Sequence, residues 1–223
     1  MQNHNVPLDF FSWHLYNNDI TNFGVAAAYY REQLDRRGYT ATESHITEWN
    51  TETNESTGRD AAVALRVGAQ GATLMTAAWI GLQEQEVDVS MFFRGTDPAM
   101  DNPTFYGIFF ANGQPKKMAL AFSLWSQLAA HPSRMNITTT GGNASSPLWV
   151  LAGENAVGEI ALLIANPHDI PTSWQAIFPL SEGIAQVTVQ QVSDDQETVQ
   201  TFTLSEPVTE IGAYTVQLVT IEP

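Results

Sequence analysis

No cysteine occurs among the 223 residues. That absence excludes disulfides, thiolate metal sites and a cysteine nucleophile, but leaves the compartment open, because secreted proteins need not use disulfides. Positive charge is scarce too: nine Lys and Arg stand against 24 Asp and Glu, a formal charge of -15. Such a chain repels phosphate backbones and anionic lipid surfaces, so neither a nucleic acid nor a membrane is expected as partner, whereas an uncharged ligand meets no long-range barrier. A long apolar run is also missing. The longest, Val67 to Leu82, is interrupted by Gln70 and is too short to span about 30 Å of hydrocarbon. The first residues, Met1 to Pro7, offer neither a basic nor an apolar region, so no secretory signal is expected in them and the chain is expected to be soluble. His4, His14, His45, His131 and His168 are scattered with no i,i+4 pair, so no metal or other cofactor is expected.

What is present describes a folded chain. With 43% hydrophobic and 15% charged residues there is enough apolar material for a core. Leu8 to Tyr16 reads as a short buried strand closed by the polar cluster Asn17, Asn18 and Asp19. Val25 to Arg37 is rich in helix formers and has Gly38 placed to end it. A second strand runs to His45–Trp49, a polar loop follows through Gly58, and Arg59 to about Gln85 reads as one Ala- and Gly-rich helix able to pack closely on a sheet. Val87 to Phe93 gives a third strand and Lys116 to Ala130 a third helix. This alternation predicts parallel β/α architecture over residues 1–136, about three β/α units of a partial barrel. Beyond it, alternating short strands from Leu148 to Ile221 predict a small antiparallel β-sandwich over 137–223, its strands half-exposed.

In parallel β/α barrels the functional side chains project from the carboxyl ends of the strands. Those ends here carry His14 and Tyr16, then Glu48, Trp49 and Asn50, then Phe93 and Arg94. A carboxylate among aromatic rings and hydrogen bonders suits a sugar: the carboxylate attacks an anomeric carbon, rings stack on pyranose C–H faces, and amides or imidazoles bind hydroxyls. Glu48 is the catalytic candidate, and His14, Tyr16, Trp49, Asn50, Phe93 and Arg94 are the substrate-binding candidates.

Three segments, Leu8–Tyr16, Ile46–Thr51 and Asn112–Lys117, resemble glycoside hydrolase family 39, a family of retaining β-xylosidases and α-iduronidases. The resemblance covers roughly residues 5 to 135, and the terminal sandwich in type and position only. It implies an eight-stranded (β/α) barrel with an attached sandwich, of which this chain carries the part from strand six onward. It further implies that Glu48 is the nucleophile, with His14 and Tyr16 lining the subsite beside it and a β-linked pentoside such as a xyloside as substrate. The family's acid/base glutamate follows an asparagine at the end of strand four, and nothing here matches that position; Asn54–Glu55 lies in the loop after Glu48 instead. Retaining hydrolysis needs two carboxyl groups about 5 to 5.5 Å apart. The missing acid is therefore expected from a neighbouring copy, another polypeptide, or Glu43, Glu52, Glu55 or Asp97. Three parallel strands alone leave edges and one face open, which predicts a homo-oligomer covering the open half. The alternative is a noncatalytic sugar-binding or assembly fragment.

Overall fold

A computed structural model describes residues 7–52, 58–99, 106–140, 146–177 and 186–223. The first part alternates strand and helix: β1 (Phe10–Tyr16), α1 (Thr21–Asp35), β2 (Glu43–Asn50), α2 (Arg59–Val67), α3 (Ala69–Glu84), β3 (Val89–Phe92) and α4 (Lys117–Leu128). The strands form a three-stranded sheet in the order β1-β2-β3, parallel throughout. Alternation decides which way each residue points. Trp13 and Ile46 pair across β1 and β2 and are buried against the helices, while Phe10, Ser12 and His14 of β1 and Met91 of β3 lie exposed on the opposite face. Within the described residues β1 and β3 each pair with β2 alone, so both are sheet edges.

The expected single helix from Arg59 to Gln85 is two helices broken at Gly68, whose extended backbone ends α2 and begins α3. The second helix is capped from a distance: the Ala69 N–H donates to Asp194 Oδ1 at 2.7 Å, placing a carboxylate where the helix dipole favours one. Twelve of its residues are buried, so α3 is covered almost all round. Its small residues make that possible. A Cβ on Gly71 would sit 2.3 Å from the Leu65 carbonyl oxygen, and one on Gly81 would sit 3.2 Å from the Trp149 ring.

The second part is antiparallel: β4 (Ser133–Arg134), β5 (Trp149–Glu154), β6 (Ile160–Asn166), β7 (Thr172–Gln175), β8 (Gln186–Val192), β9 (Gln200–Leu204), β10 (Val208–Ile211) and β11 (Thr215–Glu222). Six of these strands form one sheet in the order β4-β5-β6-β11-β8-β9, and β7 pairs with β10 in a second, smaller sheet. Two expectations change here. The sheet starts at Ser133, which pairs with Glu154, so the antiparallel part begins before residue 137. Strand β6 is also not half-exposed, every one of its residues being buried, whereas β8 alternates as expected, with Val187 and Val189 buried and Thr188 and Gln190 partly exposed. Ala161, Leu163, Val216 and Leu218 face one core together with Trp79, Met118 and Leu124 of the helices; Ile160, Leu162, Ile164, Val219 and Ile221 face a second core with Trp174 and Phe202. Helices α3 and α4 thus serve both parts of the chain, α3 lying against the parallel sheet through Trp79 and against the antiparallel sheet through Gly81. No helix among the described residues is long and apolar enough to cross a membrane.

Candidate active site

The site is built by an irregularity in β2. Trp13 pairs with Ile46, but the next residue, His14, pairs with Glu48, so Thr47 is an extra residue bulged out of the ladder. The pairing with β3 shows the same step, from Ile46 opposite Ser90 to Trp49 opposite Phe92. Because side chains alternate with period two, an extra residue reverses the facing of all that follows. With Thr47 paired in the ladder Glu48 would point into the helix layer; with Thr47 bulged out, Glu48 stands beside His14 on the open face. Thr47 is held by His14, Nε2 to Oγ1 at 3.1 Å.

At the carboxyl end of the sheet the Tyr16 hydroxyl donates to Glu48 Oε1 at 2.5 Å. Partial burial, together with this bond and the negative charge of Glu48, holds the Tyr16 hydroxyl well above the ordinary tyrosine range, so it remains a proton donor at any working pH. Tyr16 meets Tyr106 edge-on with centroids 5.8 Å apart and Phe93 edge-on at 6.5 Å, so two further rings pack against the one whose hydroxyl bonds the carboxylate. Glu48 itself is half-buried. A partly desolvated carboxylate with one fixed donor and a free face is equipped for attack on an electrophilic carbon.

The other expected binding residues divide. Phe93 and Arg94, joined by a cis peptide bond, stay at the rim, where the Arg94 guanidinium lies 5.8 Å from the Phe93 ring centroid and donates from Nε to the Thr96 carbonyl at 2.8 Å. Trp49 does not form a wall of the site. It follows the bulge, points into the helix layer and is 1% exposed, its ring packed edge-on with Phe23, Trp79 and Phe92 and its N–H donating to Ser90 Oγ. Asn50 is also sealed: its amide donates to the carbonyls of Phe93 and Tyr106, tying the ends of β2 and β3 to the loop beyond. Both are supports rather than ligands.

Two of the candidate acids fall away for physical reasons. Glu43 lies at the opposite end of β2, roughly 15 Å from Glu48 at about 3.3 Å per strand residue, and is bonded to His45. Asp97 is 3% exposed and held at 2.7 Å by the buried Lys116 ammonium. Glu52 is half-buried in the loop just past β2, and Glu55 lies outside the described residues.

Three residues of this neighbourhood were not among the sequence candidates. Thr47 makes the bulge, Tyr106 supplies a ring from the loop after β3, and Arg66 of α2 lies fully buried with its guanidinium carbon 3.9 Å from the Tyr106 ring centroid. Arg66 sits in the last turn of α2, where a cation reads as an exposed residue facing the helix dipole; only three-dimensional packing reveals its burial.

No protein-family model and no curated protein matches the sequence. Solved structures do match the fold. A glucosidase from Croceicoccus marinus superposes with a TM-score of 0.70 at 22% identity, over 100% of this chain and 56% of its own. A family 39 β-xylosidase from Caulobacter crescentus gives 0.67 at 15% identity, over 100% and 53%. A family 30 endoxylanase from Clostridium papyrosolvens gives 0.64 at 11% identity, over 96% and 49%. The chain therefore has a fold found in several families of glycoside hydrolases, and spans about half the length of the structures it matches.

Proposed function

We propose that this chain is the nucleophile-bearing part of a retaining glycosidase of the family 39 type, acting on β-linked pentosides such as xylosides. The observation that carries the reading is the 2.5 Å hydrogen bond from Tyr16 to Glu48 on the open face at the carboxyl end of a parallel sheet. In this reading Glu48 attacks the anomeric carbon and forms a glycosyl ester. The Tyr16 hydroxyl holds the carboxylate in line, His14 binds a sugar hydroxyl, and Phe93 supplies an apolar face. Retaining hydrolysis also needs an acid within about 5.5 Å of the nucleophile. Neither Glu43 nor Asp97 supplies it, and its source lies across the open face of the sheet. An aryl leaving group needs little protonation, so the ester step is accessible without that acid.

The test is incubation with a 2-fluoro-xyloside bearing an activated leaving group, followed by mass spectrometry. A glycosyl adduct on Glu48 in the wild type and none in Glu48→Gln is expected; a well-folded wild type with no adduct removes the catalytic reading. That outcome would favour a sugar-binding or assembly fragment, the reading suggested by the exposed Phe10 and Met91. The partner proposed for that face is a second copy, and a stable monomer in light scattering removes it.

A further inference from the structure

Arg66 is fully buried in the last turn of α2, and its contacts converge on the candidate site. Its Nε–H donates to Thr51 Oγ1 at 2.9 Å and its terminal nitrogen to the Glu52 carbonyl, so it clamps the first two residues after β2. Its guanidinium carbon lies over the Tyr106 ring, 3.9 Å from the centroid, a cation–π contact made by a fully buried cation. Tyr106 in turn meets the edge of Tyr16, whose hydroxyl donates to Glu48. The loop carrying Tyr106 is fixed at its backbone as well: the Tyr106 carbonyl accepts from the Asn50 amide and from the Arg94 N–H, and the Gly107 N–H donates to Asp97, which is ion-paired with Lys116. Arg66 is thus the side chain that joins the loop after β2 to the ring that borders Tyr16.

We propose that Arg66 is a positioning residue for the Tyr16–Glu48 pair, acting through Tyr106. Through its contact with the Tyr106 ring it presses that ring against Tyr16 and so fixes the direction of the hydroxyl. Lysine is a poor substitute, because an ammonium lacks the planar fork that reaches Thr51 and Glu52 while stacking on a ring. The inference deepens the glycosidase reading, but its geometric core stands without it.

The experiment reads the hydrogen bond directly. A short O–H···O contact gives a low-field proton resonance, assigned here by its disappearance in Tyr16→Phe and Glu48→Gln. In Arg66→Met and Tyr106→Leu that resonance is expected to move upfield or vanish, with Arg66→Lys intermediate, while the amide signals of the six-stranded sheet stay in place. Tyr106 is half-buried, so Tyr106→Leu keeps the test open if Arg66→Met does not fold. An unshifted resonance in folded Tyr106→Leu overturns the proposal, and so does its absence from the wild type. Where the wild type forms the Glu48 adduct, Arg66→Met or Tyr106→Leu slows labelling roughly 10- to 100-fold, the scale of a misplaced reacting group. Failure of adduct formation with an intact resonance strikes the nucleophile reading and leaves the positioning role of Arg66 in place.

Discussion

Strands β2 and β6 are both central to their sheets, and they are treated oppositely. In β6 every side chain is buried, with one set against the helices and the other against the β7–β10 layer. In β2 the set facing the helices is buried, while His45, Thr47 and Glu48 remain partly open. Burial on both faces leaves no room for a polar group without a partner, so β6 is Ile, Ala and Leu up to its terminal Asn166, whose amide is met by two carbonyls. A face free of that demand can hold a carboxylate, an imidazole and a hydroxyl side by side. The contrast teaches where stability and chemistry reside: the antiparallel sheet and shared helices hold the molecule together, and the open face of the parallel sheet carries reactive groups at little cost to the core.

Substitutions can break or sharpen this division. The largest effect expected is from Lys116→Met, which leaves the buried Asp97 carboxylate without its cation; chemical denaturation should show a loss of about 3 to 5 kcal/mol. Leu163→Ala, at a fully buried position of β6, should lower stability by roughly 2 to 5 kcal/mol in the same measurement and leave Glu48 labelling unchanged. Tyr16→Phe should do the reverse. Losing the hydroxyl that holds the carboxylate in line should slow labelling of Glu48 roughly tenfold or more, with little change in the unfolding midpoint because the bond lies on the open face. Glu48→Gln should abolish labelling yet alter stability by no more than about 0.5 kcal/mol, because its face is open to solvent. The subtlest effect is on pH dependence. Tyr16 holds its proton above the ordinary tyrosine value of 10.0, so above about that pH the unfolded chain releases a proton that the native state retains. The linked stability is complete below pH 10 and falls as pH rises beyond it; urea titrations should show a steeper decline for wild type than for Tyr16→Phe.

The strand–helix alternation up to Leu128 was legible because each element has its own period and its own terminators, and Glu48 with Tyr16 and His14 stood out as polar residues closing apolar strands. Other features were hidden for identifiable reasons. The Gly68 break lies in a segment whose composition favours helix on both sides, so the change of direction comes from packing and from Asp194, 125 positions away in sequence. Burial on both faces of β6 was missed because β-sandwich strands usually show one face to water, whereas here helices from the first part cover the second face. Trp49 was misread because its facing depends on the bulge at Thr47, and an extra residue within a ladder leaves no mark in a strand pattern read one chain segment at a time. Arg66 and Tyr106 were invisible for a related reason: their contacts join a helix, a loop and a strand far apart in sequence.

The bulge gives this neighbourhood a local genetic tolerance. An in-frame loss of codon 47 would remove only the extra residue and leave Glu48 opposite His14 and Trp49 opposite Leu15, so the carboxylate would keep its open face and the indole its place among Phe23, Trp79 and Phe92. Gain of such a codon is the mirror event. A lineage carrying an ordinary strand here, with Glu48 directly after Ile46, could absorb a three-nucleotide insertion as the bulge without turning the glutamate inward.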